Sequence, residues 1–224
     1  MNIDELISKD KEARNGAKQA ILDLITQYAL KGPEGYGVIF EGMTCAIYKP
    51  WERLNNLYFT ALSSVRLYMV KQFMDLAPDG LCYECGVYTG GVTRMMLDNG
   101  KTVKAFDTFE GLKGSSEHDY MLNGEYNGGD VSDYIDGAII VKGEIPDSFY
   151  GHENDSIAFA HLDLDLYMPT LSSLYFIYPR LVDGGIIVLD DYGLWMTPGV
   201  KKAVDEFKPK RSVYLPTGQL VIFK

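Results

Sequence analysis

The chain has 224 residues, 46% of them hydrophobic, which is enough to bury one full core, and its length asks for no second domain. A formal net charge of -10 works against binding a phosphate backbone, and no Lys/Arg stripe overcomes it locally, so nucleic acid is excluded as a partner. No uninterrupted apolar run nears the ~20 residues that a membrane-spanning helix needs, and Met1 to Lys11 is charged with no secretory core, so a cytoplasmic protein is expected.

In chain order, Ala17, Ile21, Leu24, Ile25 and Tyr28 fall at helical spacing before Lys31-Gly32-Pro33, which ends that helix. A second helical pattern covers Leu54 to Leu76, and residues 1–78 together read as a helical preface. Its aromatic-rich part, Gly35 to Tyr68, is a candidate two-fold contact over a partner's cleft, which favours a homodimer. From residue 79 to 224 short apolar runs alternate with helical stretches, the pattern of βαβ units. Leu81–Glu84, Thr102–Phe106, Ala138–Val141, Ile157–Leu162 and Ile186–Leu189 read as parallel strands, with helices over Val92–Asn99, Thr170–Arg180 and Val200–Phe207. Ser212–Leu215 and Gln219–Lys224, joined through Pro216-Thr217-Gly218, predict an antiparallel edge hairpin on this open, Rossmann-like α/β sheet. Residues 111–136, rich in Gly, Asp and Asn and without a period, read as a mobile loop over a substrate.

Three cysteines, Cys45, Cys82 and Cys85, are too few for a disulfide framework. The Cys82–Cys85 pair lies on a strand, where residues three apart face opposite sides, so the thiols diverge. Zinc also lacks further ligands, because His118, His152 and His161 are scattered.

The first strand runs into Glu84-Cys85-Gly86-Val87-Tyr88-Thr89-Gly90-Gly91, a glycine-rich turn at the carboxyl end of a strand, where such sheets bind ligands. A dinucleotide fingerprint needs glycine at position 88, and Tyr88 obstructs a pyrophosphate there, which argues against a dehydrogenase and for a cofactor without phosphates. The second strand ends at Asp107, roughly 20 residues further on, where a carboxylate accepts both hydroxyl protons of an adenosine ribose. Thr108 follows it.

The fourth strand ends in His161-Leu162-Asp163-Leu164-Asp165-Leu166-Tyr167 and the fifth in Asp190-Asp191-Tyr192. One such aspartate is commonly a helix cap. Four at neighbouring strand ends repel unless a cation neutralises them or some are protonated. All-oxygen ligation suits a hard ion such as Mg²⁺, with positions left for a substrate hydroxyl. His161 reads as a packed core histidine and a minor candidate base.

The sequence resembles the macrocin O-methyltransferase family from about Arg53 to the end, through six segments in order. They are Arg53-Leu54-Asn55-Asn56-Leu57; Glu84 to Gly91; Asp107-Thr108-Phe109-Glu110-Gly111-Leu112; Gly143-Glu144-Ile145-Pro146-Asp147-Ser148; Leu162 to Thr170 with Tyr178-Pro179-Arg180-Leu181; and Gly184 to Tyr192 with Gly199 to Val204. The resemblance implies a Rossmann-like S-adenosylmethionine methyltransferase fold and O-methylation of a hydroxyl on a sugar or other natural-product acceptor. It implies that Glu84, Gly86 and Tyr88, with Thr89, Gly90 and Gly91 of the same turn, border the methionine part of S-adenosylmethionine. It implies Asp107 and Thr108 at the ribose, Gly143 and Glu144 at the adenine, and Asp163, Asp190 and Asp191 around Mg²⁺. Asp163 or Asp165 would then take the acceptor's proton. Two departures stand out: His161 where the family usually has arginine, and Leu164 where a small residue is common.

Two other readings compete. A haloacid-dehalogenase-like phosphohydrolase also carries Asp-x-Asp after an apolar strand, yet on its first strand and followed by Thr or Val, whereas Tyr167 stands here. A non-catalytic S-adenosylmethionine-binding module would have no use for the full acidic cluster.

Overall fold

A computed structural model describes Leu54 and residues 57–224, all within the compact unit Pro50–Lys224. The helix expected over Ala17–Tyr28, Cys45 and most of the Gly35–Tyr68 stretch lie outside the described residues.

Helix α1 spans Ser64–Leu76, shorter than the expected Leu54–Leu76. Ser63 ends the preceding extended chain and caps the helix, its hydroxyl accepting from the Arg66 N–H at 3.4 Å. The residues before it serve another purpose: the Phe59 N–H donates to the Tyr134 hydroxyl at 3.1 Å and its carbonyl accepts from Thr89 Oγ1 at 2.7 Å. Those bonds take the backbone out of a helical ladder. Leu67, Val70 and Met74 form the buried stripe of α1, and Ala77-Pro78 ends it.

The core then alternates as expected: β1 (Leu81–Cys85), α2 (Gly91–Asp98), β2 (Thr102–Asp107), β3 (Ile139–Lys142), β4 (Ile157–Leu162), α3 (Tyr167–Ile177), β5 (Leu181–Leu189) and α4 (Pro198–Phe207). The hairpin β6 (Ser212–Tyr214) and β7 (Leu220–Phe223) comes last. The seven strands form one sheet in the order β3-β2-β1-β4-β5-β7-β6. The first five are parallel, and β7 runs antiparallel to β5 and β6. Strand β5 begins five residues earlier than its apolar run suggests, because Leu181 pairs with Ile157 before an irregularity restores register at Ile186 and Phe159.

Strand alternation feeds two core layers. Cys82, Val103, Phe159, Val188 and Val221 pack under α1 and α2, against Leu67, Met74, Met95 and Met96. Tyr83, Cys85, Phe106, Ile187 and Ile222 pack under α3 and α4, against Leu174, Ile177, Val200 and Val204. The two thiols are therefore free, buried and on opposite faces of the sheet. No helix among the described residues is long and apolar enough to cross a membrane.

Register decides which side chains meet at the top of the sheet. Cys85 is level with Phe106 on one side and Leu162 on the other, and Leu162 is level with Leu189. One more rung continues past each strand end: Gly86 N to Phe106 O at 2.9 Å, Asp163 N to Cys85 O at 2.9 Å and Asp190 N to Leu162 O at 2.8 Å. The glycine turn, Asp107, Asp163 and Asp190 are thus delivered to one rim, where the strand order reverses between β1 and β4. A crevice outside the carboxyl ends at that reversal is where open α/β sheets bind ligands.

Candidate functional site

The crevice holds a cavity of about 210 Å³, its lining shared between the glycine turn, the ends of β2, β4 and β5, and the 111–126 segment. Its floor is Gly86. This residue has φ +89°, and a Cβ there would run into the Asp163 carbonyl oxygen. Only glycine allows both the left-handed backbone and the close approach of turn and acidic rim.

Asp107 is fixed by the turn it faces. Its Oδ2 accepts from the N–H groups of Val87 at 2.6 Å and Tyr88 at 3.0 Å, and its Oδ1 from Phe109 N–H at 2.7 Å. Two donors fill Oδ2, while Oδ1 retains acceptor capacity, so the carboxylate is oriented while still able to receive a hydroxyl proton. Gly86, Tyr88, Asp107, Thr108, Gly143 and Glu144, all expected at the cofactor, line this one cavity.

Four expected cofactor residues do not line it. Glu84 is buried beneath the turn, accepting from the Thr93 hydroxyl and facing His161. Burial raises its pKa, with Thr93 and the His161 charge opposing the rise. Thr89 bonds Phe59. A Cβ on Gly90 would meet Ile135, and one on Gly91 would meet the Phe59–Thr60 backbone. These residues hold the turn against the elements around it.

At the acidic rim, Asp163, Asp165 and Asp191 each offer one oxygen, and the three oxygens lie within 4.8 Å of one another. Asp165 reaches the group through a left-handed backbone at φ +58°. Asp191 Oδ2 is buried with no hydrogen-bond donor. Burial, then the charge of Asp191, pushes Asp165 up to about 8; burial and the same neighbours raise Asp163 well above the carboxylate range, and burial with Asp190 raises Asp191. Such shifts mark carboxylates crowded together away from water.

Asp190 also lines the cavity but stands outside the group of three oxygens. The Asp190 carboxylate pairs with Arg66 and accepts from Gln219 Nε2 at 2.7 Å. Behind it sits His161, fully buried, its ring nitrogens 3.7 Å from Glu84 and 3.9 Å from Asp190. Burial alone would lower this imidazole; the two carboxylates more than offset that and hold it at about 9. His161 is an enclosed counter-charge, not a base facing the cavity.

Sequence reasoning missed Arg66 and Gln219. Both sit among the acids, Arg66 from α1 and Gln219 from the edge hairpin. It also left open how residues 111–136 are held. Leu112 and Glu125 close the segment on itself, with Leu112 N–H to Glu125 O at 2.8 Å, and Met121 turns inward to the cavity. Asp119 Oδ1 accepts from Tyr167 N–H at 2.8 Å, capping α3, and the Tyr126 ring stands edge-on to Tyr88 at 5.7 Å.

Residues 130–221 match the macrocin-O-methyltransferase (TylF) family model, a stretch that includes all four rim aspartates. Over that stretch the chain is similar to the macrocin O-methyltransferases. Its resemblance to a demethyldecarbamoylnovobiocin O-methyltransferase of Streptomyces niveus reaches 41% identity over 56 residues, covering 25% of this chain and 21% of that protein. A mycinamicin III 3''-O-methyltransferase of Micromonospora griseorubida is 26% identical over 189 residues, 72% of this chain and 70% of its own. Among solved structures, the O-methyltransferase NovP superposes with a TM-score of 0.64 at 21% identity, over 92% of this chain and 98% of its own. The fold of the chain is that of the methyltransferases: a mostly parallel Rossmann-like sheet with an antiparallel carboxyl-terminal edge.

Proposed function

We propose that this chain transfers a methyl group from S-adenosylmethionine to a hydroxyl of a small natural-product acceptor, a sugar in particular, with the help of a divalent cation such as Mg²⁺. The observation that carries the reading is the abutment of two sites across Gly86: a turn that orients Asp107, and three carboxylates that share one focus. The family match and the sugar-modifying relatives support the acceptor class.

The residues fit both groups. The lining of the cofactor side carries an oriented carboxylate for a ribose diol, at Asp107, and no helix N-terminus or arginine cluster of the kind that grips a pyrophosphate. The rim offers only oxygen ligands, and Asp191 carries a buried oxygen without a donor, Oδ2, which suits a hard cation. Asp163, Asp165 and Asp191 would hold the ion as the side chains stand, and Asp190 completes the set implied by the family resemblance once freed from Arg66.

Bound S-adenosylmethionine supplies an electrophilic methyl. The cation supplies charge that favours the ionised form of a nearby hydroxyl. This chain's residues do the rest. Tyr88, Gly86 and Asp107 would hold the donor in the same cavity as the rim, so that the acceptor would meet it there. Asp165, which lines the cavity, would take the proton of an acceptor hydroxyl. Leu164, Leu166, Pro169 and Leu194 line the cavity with apolar surface and keep bulk water from competing with the acceptor.

The test uses Asp163→Asn. Calorimetry with S-adenosylhomocysteine should show binding within a few-fold of wild type, while methyl transfer to a panel of glycosides, followed with labelled donor, falls by about 10²-fold or more. Full turnover in that variant would contradict the role of the rim. Binding of NAD in place of S-adenosylhomocysteine would contradict the cofactor.

A further inference from the structure

The acidic rim already has a cation of its own. Among the described residues, Arg66 is the sole lysine or arginine paired with any of the four rim aspartates. One nitrogen, Nη2, makes all of its contacts there: it pairs with Asp190 Oδ2, donates to the Asp190 carbonyl at 2.9 Å and reaches Asp191 Oδ1 at 3.0 Å. Gln219 closes the arrangement, its Nε2 bonding both Asp190 Oδ1 at 2.7 Å and the Arg66 carbonyl at 3.2 Å. Both Asp190 carboxylate oxygens are thereby engaged. Asp191 is shared: Oδ1 faces the guanidinium, Oδ2 is buried without a donor, and the side chain also offers an oxygen to the group formed with Asp163 and Asp165.

We infer that Arg66 is an internal counter-ion that competes with the divalent cation for Asp191 and keeps Asp190 out of the cation's ligand set. The inference rests on the cation reading above. A guanidinium this close to a cation site opposes loading by direct charge repulsion, which is strong in a partly buried setting. It also stabilises the unloaded rim, where several carboxylates would otherwise stand uncompensated. Loading therefore draws Arg66 away from Asp190 and Asp191, and the movement passes to the first turn of α1. That turn is held by the Ser63 cap on the Arg66 N–H, and Ala61 and Leu62 just before it line the same cavity as the rim. Cation occupancy is thus tied to the wall against which the acceptor lies.

The measurement is a Mn²⁺ titration followed by electron paramagnetic resonance, on the full chain without acceptor, for wild type, Arg66→Gln, Arg66→Lys and Asp163→Asn. Near-ultraviolet circular dichroism and S-adenosylhomocysteine binding serve as controls for the fold. Wild type should bind one Mn²⁺ and Asp163→Asn should lose it. Arg66→Gln should bind at least tenfold more tightly than wild type. Arg66→Lys, whose shorter stem does not reach all three acceptors, should fall between them. If Arg66→Gln does not fold, Arg66→Lys decides: tighter binding supports the inference. Equal or weaker binding in the folded variants overturns it, since a residue that merely holds the ligands in place would weaken binding on removal. Absence of Mn²⁺ binding in wild type and variants alike overturns both this inference and the cation reading; wild-type binding that Arg66→Gln leaves unchanged overturns this inference alone.

Discussion

Gly86 is the residue on which both halves of the site depend. Its left-handed backbone lets the turn fold back toward Asp107, and its missing side chain lets the Asp163 carbonyl come up against it. Gly86→Ala introduces strain at a positive φ and a clash with backbone, neither of which a flexible side chain can relieve. The expected outcome is a destabilisation of about 2 kcal/mol or more, read as a fall of several degrees in Tm, with S-adenosylhomocysteine affinity down at least tenfold by calorimetry. Native-like affinity in a folded Gly86→Ala protein would show that the turn does not carry the cofactor. At this scale the sequence reveals chemistry more readily than direction. The glycine turn, Asp107 and the four aspartates are visible as residue types at strand ends, and Asp107 sits where the reading puts it. Asp190 and Asp191 share Arg66 but differ in their other partners, Gln219 for one and the Asp163–Asp165 group for the other, and a sequence reading that treats them as one acidic pair loses that information. Arg66 is harder to see. A lone arginine on an amphipathic helix normally reads as a solvated face, and its partners lie 124 and 125 positions away. Gln219 is likewise ordinary in a hairpin until the sheet order brings β7 beside β5.

At the scale of elements, the inner parallel strands such as β1 and β4 were legible because both faces are covered, leaving short apolar runs bounded by turns, whereas the edge strand β3 is mostly exposed. The helices between them were legible from their period. Two boundaries were not. Helix α1 starts ten residues later than its apolar pattern suggests, because Phe59 bonds Thr89 and Tyr134, contacts that no local pattern encodes. The 111–136 segment lacks a period, yet the structure shows specific anchors for it. Asp119 is the most telling: it caps α3 at Tyr167 while its other oxygen receives Ser116 N–H at 2.9 Å. Asp119→Ala should remove a cap worth about 1 kcal/mol and loosen the wall that carries Met121 and Tyr126. Hydrogen exchange should show faster exchange across 111–126, with S-adenosylhomocysteine affinity retained. Unchanged exchange there would mean that the segment is held by its other contacts alone.

For the molecule as a whole, the decisive feature is the reversal of strand order between β1 and β4, which places the turn facing Asp107 and an acidic rim on either side of one glycine. Alternating strands and helices implied such a reversal, and register carried it into residue contacts: Cys85, Phe106, Leu162 and Leu189 end level, so the residues next in the chain, Gly86, Asp107, Asp163 and Asp190, gather at one rim. The family match over 130–221 covers the rim, while the turn that faces it lies upstream and is placed by the sheet. The account therefore stands on the closeness of two ligands. The direct measurement is nuclear relaxation of S-adenosylmethionine carrying a carbon-13 methyl group, bound to the protein in the presence of Mn²⁺. Strong Mn²⁺-dependent relaxation of the methyl carbon, abolished by Asp163→Asn while the donor stays bound, is the predicted result. Relaxation no greater than in Asp163→Asn, with both ligands bound to the wild-type protein, would contradict it.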